Sequence, residues 1–107
     1  LALGKKVRLD QYRALLINAK SAEQRLALFL IELSSRFQAH DLPATQFRIP
    51  VSRKDIANYL GLAPETIIRT FKAFEKKQLI ESQARNIKLI EYEKLNRLAS
   101  FNQQIKE

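Results

Sequence analysis

Residues 51–71 read VSRKDIANYLGLAPETIIRTF, and this stretch decides the fold. It predicts two helices that are separated by a short turn. Ser52 is a preferred N-cap residue, and Gly61 ends the first helix because glycine accepts left-handed backbone angles. Pro64 opens the second helix, since the first helical residue needs no N–H donor. The small side chain of Ala57 allows the two helices to cross closely, as a helix-turn-helix requires.

The second helix of this pair is expected to run from Pro64 to about Lys77. Its apolar side chains recur at the i, i+4 and i+7 spacing of a stripe that faces a core. They are Ile67, Phe71 and Phe74. The residues left for the outer face are Glu65, Thr66, Ile68, Arg69, Lys72 and Lys76.

Glu65 and Arg69 are the first candidates for reading DNA bases. They lie four residues apart on one face, in the N-terminal turns that a recognition helix presents to base edges. Arginine can bind guanine O6 and N7 together, and glutamate can accept a hydrogen bond from cytosine N4. The alternative is an ordinary surface ion pair between the two side chains, which is worth about 0.2–0.5 kcal/mol.

Five side chains are candidates for contacts with DNA phosphates. Ser52 and Arg53 lie at the start of the first helix, where hydroxyl, guanidinium and backbone N–H groups favour an anion. Thr66 and Lys72 lie on the second helix, and Arg85 lies in a later turn. For each separate lysine or arginine, simple solvation at the surface explains the residue equally well.

The segment before the motif predicts a core helix and a short strand. Ser21 and Gln24 fit a capping box, and an apolar stripe follows from Leu26 to Phe37. The polar loop 40–46 ends this helix. Residues 47–51 alternate briefly and predict a short strand.

The segment after the motif predicts a β-hairpin and a last helix. Strands are expected at 79–82 and 86–90, and Leu95 and Leu98 anchor the short helix that follows. We therefore expect a mainly α domain with a small β-hairpin wing over residues 20–101, followed by a tail at 102–107.

The first nineteen residues contain a separate helical pattern. Leu9, Tyr12 and Leu16 fall at a/d spacing. This pattern fits either a stripe that faces the core of the domain or the end of a longer dimerisation helix. The residues alone do not choose between the two.

Composition narrows the classes of function. Lys and Arg number 19 against 11 Asp and Glu, and the net charge of +8 favours a polyanionic partner. There is no Cys, and the single His40 cannot form a histidine metal site.

Because no nucleophile–base pair, carboxylate dyad or Gly-rich phosphate loop occurs, we expect neither an enzyme nor a cofactor. No apolar run approaches the roughly 20 residues of a membrane span, and no signal peptide is visible, so we expect a cytoplasmic protein without membrane partners.

These residues together resemble the C-terminal DNA-binding domain of the CRP/FNR family of bacterial transcription regulators. Residues 51–71 resemble the helix-turn-helix signature of that family. Residues 21–27, SAEQRLA, and 33–37, LSSRF, resemble the preceding helix in the FNR branch especially. The similarity extends from about Leu9 to Leu98.

The resemblance implies a winged helix-turn-helix that belongs to a longer protein. Family members carry a sensor domain, then a dimerisation helix, then this domain. Residues 1–19 would therefore be the C-terminal part of a dimerisation helix and a hinge, with Leu9, Tyr12 and Leu16 in the dimer. We expect a homodimer that reads the major groove of a palindromic double-stranded DNA site. The sequence begins at Leu1 and contains no Met, so we expect a fragment whose sensor and effector lie outside it.

The resemblance also implies roles for single residues. Glu65 and Arg69 match the base-reading glutamate and arginine of the family. The positions that match residues near phosphates are Ser52, Arg53 and Thr66. The loop 40–46 lies where activators of the family touch RNA polymerase.

Two residues depart from the pattern of the family. Ile68 replaces the small residue before the reading arginine, and it can press on a thymine methyl group. We therefore add Ile68 to the base-reading residues and expect a half-site that differs from the common TGA type. Ala63 replaces a capping Ser or Thr, at a cost of about 1 kcal/mol.

The alternative function is a winged-helix module that binds proteins and reads no bases.

Overall fold

The computed structural model describes residues 21–99. The helices and strands in this range are α1 (Ala22–Ala39), β1 (Gln46–Arg48), α2 (Arg53–Leu60), α3 (Pro64–Lys76), β2 (Ile80–Gln83), β3 (Asn86–Leu89) and α4 (Tyr92–Ala99). This order confirms the predicted mainly α fold with a small hairpin. The proposed dimerisation residues Leu9, Tyr12 and Leu16, the segment 1–19 and the tail 102–107 lie outside the described residues.

Both ends of α1 are closed by local hydrogen bonds. At its start, the Ser21 hydroxyl accepts from the Gln24 N–H at 3.0 Å, and Gln24 Oε1 accepts from the Ser21 N–H at 3.3 Å. The predicted capping box is therefore confirmed. At its end, Asp41 adopts a left-handed φ of 60°, and the Leu42 N–H donates to the Phe37 carbonyl at 2.9 Å. This pattern is a Schellman motif, which turns the chain into the loop before β1.

The connection between α2 and α3 has the geometry that the sequence predicts. Ser52 caps α2 by accepting from the Asp55 N–H at 3.1 Å. Gly61 follows α2 with a φ of 71°, and the Leu62 N–H donates to the Ala57 carbonyl at 2.8 Å. Ala57 is 1% exposed, so its small side chain lies at the crowded contact. α2 and α3 pack against each other as one unit.

The three strands form one antiparallel sheet in the order β1-β3-β2. β2 and β3 are joined by a two-residue turn, Ala84-Arg85, which is one residue shorter than expected. The strand predicted at 47–51 is wrong in its bounds, since β1 ends at Arg48. The pairing of β1 with β3 does not follow from the sequence pattern. It arises because Phe47 lies opposite Ile87 and both side chains enter the core.

The core lies between the helices and one face of the sheet. α1 packs against α3 and α4, and α3 also packs against β2. The largest apolar side chains that are almost fully enclosed are Leu26, Leu30, Ile49, Ile56, Leu60, Ile67, Phe74, Ile80, Ile87 and Leu95. This packing holds α3 so that one side is buried and the other is exposed.

Among the described residues, no helix is both long and apolar enough to cross a membrane.

Candidate nucleic-acid interface

The outer face of α3 carries the predicted base-reading residues side by side. Glu65, Ile68, Arg69 and Lys72 are all exposed, whereas Ile67 is fully buried. Ile68 is 46% exposed, which is a large fraction for an apolar side chain on an otherwise charged helix face. The structure therefore presents an acid, an apolar group and a guanidinium together on the first two turns of the helix.

Glu65 and Arg69 do not form the ion pair that their spacing allows. Within residues 21–99, the salt bridges join Glu32 to Arg36 and Glu23 to Lys77. Neither Glu65 nor Arg69 takes part in a side-chain hydrogen bond with another described residue. Their polar atoms therefore face solvent and are available to a ligand.

The start of α3 is not capped by a side chain. Ala63 has an extended backbone and offers no hydrogen-bonding group, as its identity predicts, and Pro64 occupies the first turn. Thr66 is half-buried close to this end. Its carbonyl accepts from the hydroxyl of the buried Thr70 at 2.6 Å, which explains how a polar residue is accommodated at position 70.

Arg53 lies between α3 and the sheet, and its side chain is used within the fold. Its Nη2 donates to the Ser82 hydroxyl and to the Ala84 carbonyl, each at 2.9 Å. The guanidinium carbon lies 3.9 Å from the centroid of the Phe71 ring, which is a cation–π contact. Arg53 therefore contacts α3, β2 and the turn of the hairpin at once.

Arg85 folds back from the hairpin turn toward the start of α2. Its carbonyl accepts from the Ile49 N–H at 2.8 Å, and its Nη1 lies 3.5 Å from the Pro50 carbonyl, a distance too long for a strong hydrogen bond. Ser52 follows two residues after Pro50 and is half-buried. The turn of the hairpin thus lies beside the N-terminus of α2 and does not project away from it.

The electrostatics of this corner are dominated by positive charge. Burial lowers the pKa of the Arg53 guanidinium; the Glu75 carboxylate opposes this shift, and the neighbouring Arg85 adds to it. Arginine remains protonated at neutral pH in spite of such shifts. Arg53 and Arg85 therefore keep two like charges close together next to the start of α2, where the helix dipole also favours an anion.

The sequence located the outer face of α3 but missed the internal partners of Arg53. The α3 residues are local, because a 3.6-residue period separates the buried side from the exposed side. Ser82 and Phe71 are 29 and 18 positions away from Arg53. Neither a serine nor a phenylalanine predicts by its identity a contact with an arginine so far away in the sequence. Only the pairing of β2 with β3, which places Ser82 opposite the buried Ile87, brings that hydroxyl to the inner face of the sheet.

Comparisons with known proteins agree with this geometry. The model of the Crp-like helix-turn-helix domain family matches residues 24–98. The transcriptional activator protein FnrA of Stutzerimonas stutzeri is 43% identical over 89 residues, which are 83% of this chain and 36% of that protein. The transcriptional activator protein anr of Pseudomonas aeruginosa is 40% identical over 97 residues, covering 91% of this chain and 40% of that protein.

A solved structure is similar over most of the chain. FixK2 from Bradyrhizobium japonicum superposes with a TM-score of 0.72 and 33% identity, covering 86% of this chain and 45% of that one. The predicted winged helix-turn-helix fold and the resemblance to the CRP/FNR family are both confirmed. The chain spans about two fifths or less of the length of the two curated relatives.

Proposed function

We propose that this chain, which belongs to the Crp-like helix-turn-helix domain family, is the DNA-binding part of a bacterial transcription regulator and reads base edges with α3. The observation that carries the proposal is the outer face of α3, where Glu65, Ile68 and Arg69 are exposed together and have no polar side-chain partner among residues 21–99. Relatives named as transcriptional activators support this proposal. Such a regulator acts where the chromosome is, so the proposal places the chain in the bacterial cytoplasm.

The base-reading roles follow from the chemistry of the three side chains. The Arg69 guanidinium has the planar fork that binds guanine O6 and N7 together, and the Glu65 carboxylate accepts from cytosine N4. Ile68 precedes Arg69 on the same exposed part of the helix and offers an apolar surface to a thymine methyl group. Because the three side chains are one to four residues apart on a single helix, they meet neighbouring base pairs in one half-site.

Phosphate contacts are proposed on both sides of α3. Ser52 keeps its hydroxyl hydrogen available, since the cap uses the oxygen only as an acceptor. Arg53 uses Nη2 internally and has its other N–H groups to offer, and Arg85 lies in the same positive corner. Thr66 and Lys72 extend the contacts along α3. These groups bind the backbone and set the register, and they carry little sequence information.

Dimerisation and a palindromic site complete the proposal. Residues 1–19 would form the end of a dimerisation helix and a hinge, with residues 20–101 as the DNA-binding domain. The a/d spacing of Leu9, Tyr12 and Leu16 supports this division. Two copies of α3 would then enter successive major grooves about 34–36 Å apart, one turn of the double helix.

The loop 40–46 is proposed as the contact for RNA polymerase. It is held from beneath, because the hydroxyl of Ser34, which is 1% exposed, donates to the Ala44 carbonyl at 2.6 Å. The rings of Phe37 and Phe47 stack at 5.0 Å at its base. Leu42 is 50% exposed at its tip. An ordered loop with an exposed apolar tip is suited to a protein partner.

Selection from a pool of random duplexes tests the proposed function. The chain, or a longer form that includes its dimerisation segment, should enrich a palindromic sequence, and gel-shift titration at two salt concentrations should show tighter binding to that sequence than to random DNA. A protein-interaction module would show no sequence preference at either salt concentration. Binding without any sequence preference would reject base reading by α3.

A further inference from the structure

The turn of the hairpin is held by contacts from outside its own two strands as well as by their pairing. Ala84 adopts a left-handed φ of 55°, which residues with a side chain rarely adopt and which persists only where surrounding contacts enforce it. Two successive carbonyls of the turn are held: Ala84 accepts from Arg53 Nη2, and Arg85 accepts from the Ile49 N–H. One of the two supports is therefore a single side chain that belongs to α2.

The same side chain also ties the hairpin to α3. Its Nη2 binds Ser82 on β2 as well as the turn, and its guanidinium lies against the ring of Phe71. Phe71 is 2% exposed and belongs to the buried side of the helix whose outer side carries Arg69. Arg53 thus connects the hairpin to the inner side of α3, while Arg69 and Arg85 remain available on the outside.

We propose that Arg53 is a positioning residue: it holds the hairpin turn against α3, so that the contact of Arg85 with DNA depends on Arg53. This inference rests on the proposed function, since it concerns how that DNA surface is assembled. It adds a second role to the phosphate contact considered for Arg53, and the partners of this role are the Ser82 hydroxyl, the Ala84 carbonyl and the Phe71 ring.

The charges of the corner support a positioning role. Arg85 lies close enough to Arg53 for the two like charges to interact, and Arg85 has only the long 3.5 Å contact with Pro50 to hold its own side chain among the described residues. The backbone of the turn therefore determines where the Arg85 charge lies. A turn released from Arg53 would let the two guanidinium groups move apart and would remove Arg85 from its place beside α2.

A double-mutant cycle on DNA affinity tests the dependence. Arg53→Lys keeps the positive charge but loses the planar fork that binds two acceptors and stacks on a ring. On the duplex selected from the random pool, Arg53→Lys and Arg85→Ala should each lower affinity about tenfold for each half-site that is bound, as for loss of one charge-assisted hydrogen bond per protomer. The double variant should bind within about twofold of the weaker single variant, because both substitutions abolish the same interaction between Arg85 and DNA. Independent contributions would give a loss of about a hundredfold for each half-site and would overturn the proposal.

The salt dependence separates positioning from a simple charge effect. Arg53→Lys should reduce the slope of log affinity against log salt by about 0.9 for each half-site that is bound, the value for one phosphate contact, although it removes no charge. An unchanged slope would count against the dependence of Arg85 on Arg53. Lys54→Ala is the matched control, because Lys54 is the neighbouring residue on α2 and makes no hydrogen bond to the hairpin within residues 21–99. In the double variant, the losses of DNA affinity caused by Lys54→Ala and by Arg85→Ala should therefore multiply.

Amide hydrogen exchange tests the support without DNA. In Arg53→Lys and in Ser82→Ala, the Ile49 N–H, which donates to the Arg85 carbonyl, should exchange several-fold faster, while the amides of α1 keep their rates. Unchanged exchange at Ile49 in both variants would overturn the positioning role. Failure of the unaltered chain to bind any duplex would instead contradict the proposed function, and the exchange measurement would still report on the role of Arg53.

Discussion

Replacing Arg69 by alanine isolates base reading from every other contribution of α3. The Arg69 side chain is exposed and makes no hydrogen bond or ion pair with another residue in the described range. Its removal therefore breaks no hydrogen bond or ion pair within residues 21–99, and alanine is a slightly better helix former than arginine. We expect the free energy of unfolding to change by less than about 0.5 kcal/mol.

The loss should instead appear in the choice of DNA sequence. A bidentate contact between arginine and guanine contributes about 1–3 kcal/mol of discrimination, which is about 5- to 150-fold in affinity. A dimer on a palindrome has two such contacts, so the free-energy loss on the full site should be about twice that on one half-site. On duplexes in which the contacted base pair is already changed, Arg69→Ala should have almost no effect on affinity.

The assay is a competition titration against duplexes that carry each of the four base pairs at each half-site position. Arg69→Ala should flatten the preference at one position and leave the others intact. The matched control is Lys72→Ala, three residues further along α3, which should weaken all duplexes alike and reduce the salt slope by about 0.9 for each half-site, or about 1.8 for the dimer on the full site. If Arg69→Ala weakened selected and random duplexes by the same factor, Arg69 would be a phosphate contact and the assignment of α3 as reading helix would lose its main support.

Three further variants test the fold around the interface. Gly61→Ala requires a residue with a side chain to adopt a φ of 71°, and it places a Cβ 3.3 Å from Arg25 Nη1, which donates to the Leu60 carbonyl. Urea unfolding should show that the free energy of unfolding falls by about 1–2 kcal/mol. A fall of less than about 0.5 kcal/mol would contradict the strain at this turn. Gln78→Gly relieves an exposed left-handed residue with a φ of 61° at the end of α3, so the same measurement should show a gain of up to about 1 kcal/mol that Gln78→Ala does not reproduce. Ser34→Ala removes the hydroxyl that binds the Ala44 carbonyl, and it should cost about 1 kcal/mol and accelerate amide exchange in the loop 40–46 while base preference is unchanged; altered base preference would show that the loop is coupled to α3.

The sequence was most informative where a structural element is determined by its own residues. Ser21 with Gln24 identified the start of α1, Gly61 the end of α2, and Pro64 the start of α3, because caps and turns depend on neighbours within about four positions. The outer face of α3 followed from the 3.6-residue period alone. These features are sufficient to place Glu65, Ile68 and Arg69 on one exposed surface.

The sequence was less informative where pairing is distant. Two positions with left-handed backbone angles are occupied by residues other than glycine, Gln78 and Ala84, so the sequence does not predict their conformation. Because the hairpin turn contains no glycine, the sequence also did not show how short the turn is. The pattern within 47–51 predicts a strand without a partner, since nothing there specifies that residue 47 pairs with residue 87, forty positions later. Long-range register depends on which faces are buried together, and a period of two in three or four residues defines it weakly.

Arg53 shows why a residue type at the right position is not enough to assign a DNA contact. From the sequence, an arginine at the mouth of a helix in a chain of net charge +8 is a candidate for binding phosphate. Its guanidinium has five N–H donors, however, and one of its nitrogens already serves two internal acceptors. An alanine substitution there would remove a charge and a structural support together, and a loss of affinity would not tell them apart. Changing an acceptor, as in Ser82→Ala, removes one of the three internal contacts of Arg53 and keeps the charge, so the role of a cation at such an interface is best tested through the residues that it binds.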